Sequence, residues 1–179
     1  LGVRYFMAYT PEAVTQASTQ KDLTEVARSG PWVVYEVADS GWVVPMTVQP
    51  VVVEKRSGDQ RERWLELGSS WLQNTDEWAA TPVADGPKEW QRVSVAPDLN
   101  RRVGEPGSSS RSVDIVQPLE EITPVALPQV NITNYSHTQD SVSFTVDKVG
   151  VPVLVRVSYF PNWTVSGAKG PYRAAPNMM

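Results

Sequence analysis

The apolar positions fall into short runs with two different periods. Val3 to Tyr9, Leu23 to Ala27 and Trp32 to Val37 are dense in aromatic and apolar residues, and each predicts a strand. Ser29-Gly30-Pro31 separates the second from the third and makes them an antiparallel hairpin. Thr10-Pro11-Glu12 has the marks of a helix start: a hydroxyl at the N-cap, proline at the first helical position and an acid in the first turn. Ala13, Val14 and Ala17 then form one apolar stripe. Beyond a turn at Asp39-Ser40-Gly41, Val48 to Glu54 is strongly β-branched. Pro50 places that strand at an edge or a bulge, because proline has no N–H for a ladder.

The period then becomes helical. From Arg61 to Gln73, Trp64, Leu67 with Gly68, and Trp71 recur on one face, and Leu65 and Leu72 widen it. Trp78 and Trp90 follow in chain broken by Pro82, Gly86 and Pro87. Residues 101–110 hold Gly, Pro and Ser with Val103 as their one apolar residue, which reads as a loop or linker. Pro118, Pro124 and Pro128 make the segment around Leu119 to Pro128 extended rather than helical. Asn134 to Asp140 reads as a polar turn. Ser141 to Val146 alternates strictly, Asp147 to Gly150 turns, and Val151 to Tyr159 continues as a long strand, which predicts a hairpin with one wet face. Phe160-Pro161-Asn162-Trp163 ends it, and Thr164 to Ser166 begins another short strand.

These patterns predict an α+β, β-rich fold: an antiparallel β-sandwich-like C-terminal half with a small helix-containing N-terminal part. The expected boundaries are an α+β front part over 1–100, a loop or linker over 101–111 and an antiparallel β part over 112–179, forming one compact domain. Leu1 in place of Met, and Asn177-Met178-Met179 at the other end, read as cuts within a longer protein.

Composition narrows the chemistry. Sixteen Lys and Arg against twenty Asp and Glu give a net charge of -4, without the basic excess of a general nucleic-acid binder. The chain has no cysteine, which excludes disulfides, thiol catalysis and Cys-ligated metal. His137 is its single histidine, which excludes a multi-His metal site. Gly104 and Gly107 lack the Lys-Ser/Thr of a phosphate cradle, and no Gly-x-Ser-x-Gly elbow occurs. Asp76-Glu77 and Glu120-Glu121 are adjacent pairs, which an extended chain sends to opposite faces rather than across a scissile bond. Neither a cofactor, a metal nor a catalytic residue is expected. No apolar run approaches the roughly 20 residues of a membrane span.

Seven tryptophans are the more informative feature. An indole face stacks on the axial C–H groups of a pyranose, because the ring face is negative and the C–H edge positive. Trp64 and Trp71 sit at helical spacing and Trp32 lies in a strand, so all three are expected in the core. Trp42, Trp78, Trp90 and Trp163, with Tyr172, lie beside turns and polar residues and are the candidate glycan-binding set. Asn131, Asn134 and Asn162 each open a glycosylation sequon.

Two stretches together carry a family resemblance. Leu1 to Met7 followed by Val26 to Val37, and the ending Val151 to Trp163 with its aromatic-aromatic-Pro-Asn-Trp turn, resemble segments of the YfhO-like multi-pass membrane proteins. The likeness extends to their actinobacterial relatives described as "6-pyruvoyl-tetrahydropterin synthase-related membrane protein". Asn162 stands where many relatives have Gly, and Asn tolerates the same left-handed turn. The resemblance implies an extracytoplasmic segment that follows a series of transmembrane helices. The membrane part of that family resembles glycosyltransferases using polyprenyl-phosphate sugars, with catalytic acids in loops that have no counterpart in this chain. The implied function is an accessory domain that positions a cell-envelope glycan or a lipid-linked sugar acceptor, joined to the membrane through flanking helices and without a nucleic-acid partner. The competing expectation is a structural or protein-interaction domain, and a stand-alone hydrolase is the third.

Overall fold

The structure, a computed structural model, describes residues 2–54, 58–73, 77–103 and 113–179. The chain divides into two compact units, Leu1–Val43 and Val44–Met179. Among the described residues it forms twelve strands and two helices. The α+β, β-rich class expected from the sequence is the class adopted, with antiparallel, sandwich-like pairing through the C-terminal half.

The first unit contains β1 (Tyr5–Ala8), α1 (Pro11–Ser18), β2 (Leu23–Ser29) and β3 (Trp32–Val37). The strands form one antiparallel sheet in the order β1-β3-β2. The helix begins where the sequence indicates: Thr10 Oγ1 accepts from the Ala13 N–H at 3.2 Å, and Pro11 opens the first turn. Ala13, Val14 and Ala17 pack on Ala8, Val33 and Tyr35, and the Tyr35 hydroxyl donates to the Val14 carbonyl at 3.3 Å. One short helix covers one face of the sheet. Successive residues of a strand point to opposite faces, so Tyr5 and Met7 of β1 and Trp32 and Val34 of β3 belong to the other face.

The second unit is built around β5 (Val51–Val53), whose three residues are all buried. It pairs in parallel with β6 (Pro82–Val83) on one side and β7 (Arg92–Val93) on the other. The crossover from β5 to β6 is α2 (Gln60–Gln73). Pro50 therefore does not mark an edge. It is buried just before the strand, and the unbroken Val51-Val52-Val53 run has the composition of a strand covered on both faces. Trp64 and Leu67 of α2 pack against Val51, Val53, Val93 and Val116. Leu65 and Leu72 do not widen that face; they are exposed.

β8 (Val95–Val103) and β9 (Val113–Pro118) form an antiparallel pair on either side of 104–112. The expected linker thus begins within β8 at Arg101, and its stretch 104–111 lies outside the described residues. Val48 bridges Ala126, consistent with the extended reading of Leu119 to Pro128.

The last third corrects the predicted hairpin. β11 (Val142–Val146) pairs with β10 (Ile132–His137), which runs into the stretch Asn134 to Asp140 read as a polar turn, and not with the following strand. That strand, β12 (Val153–Val155), is short and pairs with β4 (Val43–Pro45). Beyond it the chain is held by the C-terminal segment: Met179 and Val155 exchange backbone hydrogen bonds, and the Tyr159 N–H donates to the Asn177 carbonyl. Thr164 to Ser166 forms no strand. Ala174 bridges both Val83 and Met178, and Val52, Val83, Ala174 and Met178 make a second buried cluster.

Candidate functional site

The predicted glycan-binding residues occupy four kinds of environment. Trp78 is 5% exposed within the core of the second unit, so neither ring face is offered to a ligand. Trp90 is half-buried and packs on the Val52–Met178 cluster. The Gly86 backbone lies against its indole, so closely that a Cβ there would come within 2.4 Å of Trp90 Cε3. Tyr172 meets the same indole edge-on, with ring centroids 5.8 Å apart. The structure thus brings Trp90 and Tyr172 together, as a packing pair. Trp163 is half-buried in the turn after β12, with its indole N–H donating to the Ser158 carbonyl at 3.2 Å. Trp42, in the first unit, is 40% exposed.

The larger aromatic surface is one the sequence reading assigned to strands and core. On the helix-free face of the first sheet, Tyr5 and Met7 of β1 and Trp32 of β3 stand exposed. Tyr9 follows β1 and joins them, its ring centroid 4.8 Å from that of Trp32. Val34 lies between the aromatics on the central strand. Arg4 caps one end: its guanidinium lies over the Tyr5 ring, 5.3 Å from the centroid, and donates to Glu36 at 3.3 Å. The signal for this face was present in the chain. Tyr5, Phe6 and Met7 place large apolar side chains on both faces of β1, which demands cover on both sides, while α1 offers a single narrow stripe.

Of the acidic pairs in the sequence, Glu77 and Glu120 are engaged by neighbouring groups. Arg101 donates to both Glu77 oxygens at 2.7 and 2.9 Å and to Asp98 at 2.6 Å. The Asn100 backbone N–H and the Arg101 guanidinium hold the Asp98 carboxyl below the usual carboxylate range, so it is ionised and not a proton donor at neutral pH. Glu120 accepts from the Ser94 backbone N–H at 2.6 Å. Asp76 lies outside the described residues. His137 stands in β10, 5.5 Å from the Tyr135 ring. Among the described residues no group of His, Asp or Glu is placed to hold a metal, and no helix is long and apolar enough to cross a membrane.

No protein-family model, curated protein or solved structure matches the chain.

Proposed function

We propose that this chain is a non-catalytic, extracytoplasmic recognition domain of a multi-pass envelope protein of glycosyltransferase type, and that it engages an envelope glycan or a lipid-linked sugar acceptor. The observation that carries the reading is the helix-free sheet face with Tyr5, Tyr9 and Trp32 exposed side by side. Their ring faces supply stacking surface at little cost in side-chain entropy, and the Arg4–Glu36 pair at the rim supplies hydrogen-bond donors and acceptors for hydroxyls. The extracytoplasmic setting and the attachment through flanking membrane helices rest on the family resemblance alone.

The test is a titration of the chain with arabinan, galactan and mannan oligosaccharides, read by tryptophan fluorescence. A saturable shift is expected with one of them, abolished by Trp32→Ala and weakened by Tyr5→Ala. Trp163→Ala leaves it in place. A flat response at millimolar sugar removes the glycan reading.

A protein-interaction domain is the second reading, and Met7 and Val34 favour it. They place thioether and aliphatic groups among the aromatics on a flat face, a composition typical of the centre of protein interfaces.

A further inference from the structure

The two outer strands of the first sheet differ in how they meet solvent. In the order β1-β3-β2, β1 and β2 are the edges. β2 carries the usual guards against pairing with another chain: a register shift between Glu25 and Ala27, and the charged side chains of Glu25 and Arg28. β1 has neither. Its run Tyr5-Phe6-Met7-Ala8 holds no charge, no proline and no register shift, and Tyr5, Phe6 and Met7 are exposed.

The β1 edge also has backbone groups to offer. The Val37 N–H donates to the Arg4 carbonyl at 2.9 Å, so Arg4, Phe6 and Ala8 direct their backbone groups toward β3. Tyr5 and Met7 alternate with them and direct their N–H and C=O groups away from the sheet, where no other segment among the described residues bonds to them. The charge beside this edge is Arg4, which Glu36 of the same chain meets at 3.3 Å. The core behind the sheet is small, with Ala8, Ala17, Val33 and Tyr35 as its buried residues. Units this small commonly draw stability from association.

We infer that this edge is a dimer interface, in which β1 pairs antiparallel with β1 of a second copy about a two-fold axis at Phe6. The sequence is self-complementary in that register. Tyr5 stands opposite Met7 of the second copy and Val3 opposite Tyr9, each pair occurring twice by symmetry. Pairs of a ring with a thioether, and of a ring with a β-branched side chain, are favourable across strands. Phe6 meets its own copy, and Arg4 stands opposite Ala8, so no like charges face each other. The outward N–H and C=O groups of Tyr5 and Met7 then bond across the join. The axis is perpendicular to the sheet, so the helix-free faces of both copies lie on one side and form one continuous surface. The inference goes beyond the ligand reading and holds whatever that surface binds.

The test is the mass of the whole chain by light scattering, with variants along β1. A dimer of twice 19.8 kDa is expected at about 100 μM, dissociating on dilution. Met7→Pro removes an outward N–H and leaves the β1–β3 ladder intact, so it is expected to be a monomer with an unchanged circular-dichroism spectrum. The chain has no cysteine, so a single introduced thiol reports the register. Phe6→Cys faces itself in a non-hydrogen-bonded pair at a Cα separation of about 4.5 Å, within disulfide reach, and is expected to cross-link to a dimer on mild oxidation. Tyr5→Cys lies two residues out of step with its own copy, about 7 Å along the strand alone, and is expected to stay uncross-linked. Should Met7→Pro fail to fold, the two cysteine variants carry the test. A monomer mass at every concentration overturns the inference and leaves the edge to a strand of a different protein. A dimer that persists in folded Met7→Pro, or Tyr5→Cys cross-linking as fast as Phe6→Cys, overturns it as well.

Discussion

Ser70 shows how one side chain joins two elements. It is fully buried, and its hydroxyl donates to the Glu66 carbonyl one turn earlier at 2.6 Å while accepting from the Val116 N–H of β9 at 2.7 Å. Ser70→Ala leaves a buried strand N–H without a partner, so a loss of about 1–3 kcal/mol is expected in chemical denaturation. Two residues before it, Gly68 faces the Pro176 carbonyl, where an added Cβ would stand 2.9 Å from the oxygen. Gly68→Ala is expected to lower the melting temperature despite the better helix propensity of alanine, because backbone is what it meets.

The titrating residues give a pH prediction. Asp147 accepts from both the backbone N–H and the side-chain amide of Asn131, and these bonds hold its carboxyl below the usual range. Asp98 is lowered by Asn100 and Arg101, and Glu25 by Arg28. A carboxyl with a lower pKa in the folded than in the unfolded chain adds stability that is present above the unfolded value, about 4, and lost as pH falls through the folded one. Stability is therefore expected to drop below about pH 4, and Asp147→Ala is expected to flatten part of that slope in acid-titrated thermal melts. A slope identical in wild type and variant would remove Asp147 from the account.

At the scale of elements, the C-terminal segment acts as a strand-like seam. Met178 is buried beside Val52 and Val83, and the Trp64 indole donates to the Pro176 carbonyl at 3.0 Å. Met178→Ala is expected to cost about 2–5 kcal/mol, measured by denaturant unfolding. Such a seam is hard to read in a sequence, because Ala174 to Met179 has neither period. The same limit explains the misplaced hairpin. Alternation located β11 correctly, but the strictness of a pattern does not name its partner. Asn134 takes a positive φ of 51° within β10, and the register shifts between Thr133 and Ser136, so the bulge disguised a strand as a turn. Local signals with a chemical cause were legible: the Thr10-Pro11 cap, the β2–β3 hairpin and the Trp64–Leu67 face of α2. The parallel pairing of β5 was not, since both of its partners are two-residue strands.

For the molecule as a whole, the tryptophan count pointed to an aromatic surface but not to its place. Position beside turns selected Trp78 and Trp90, which the second unit uses for packing, and strand position set aside Trp32, which the first unit exposes. What decides exposure is how many faces the available helices can cover, a property of the assembled layers and not of any single residue. The central claim is that the uncovered face is a glycan platform. The most direct test is an NMR titration of the whole chain with arabinan, galactan and mannan oligosaccharides, following first-unit amides. The account predicts saturable shifts clustered on Tyr5 to Tyr9 and Trp32 with one polysaccharide class, lost in Trp32→Ala. Unmoved first-unit amides at millimolar concentrations of all three, or shifts that survive Trp32→Ala, would contradict it.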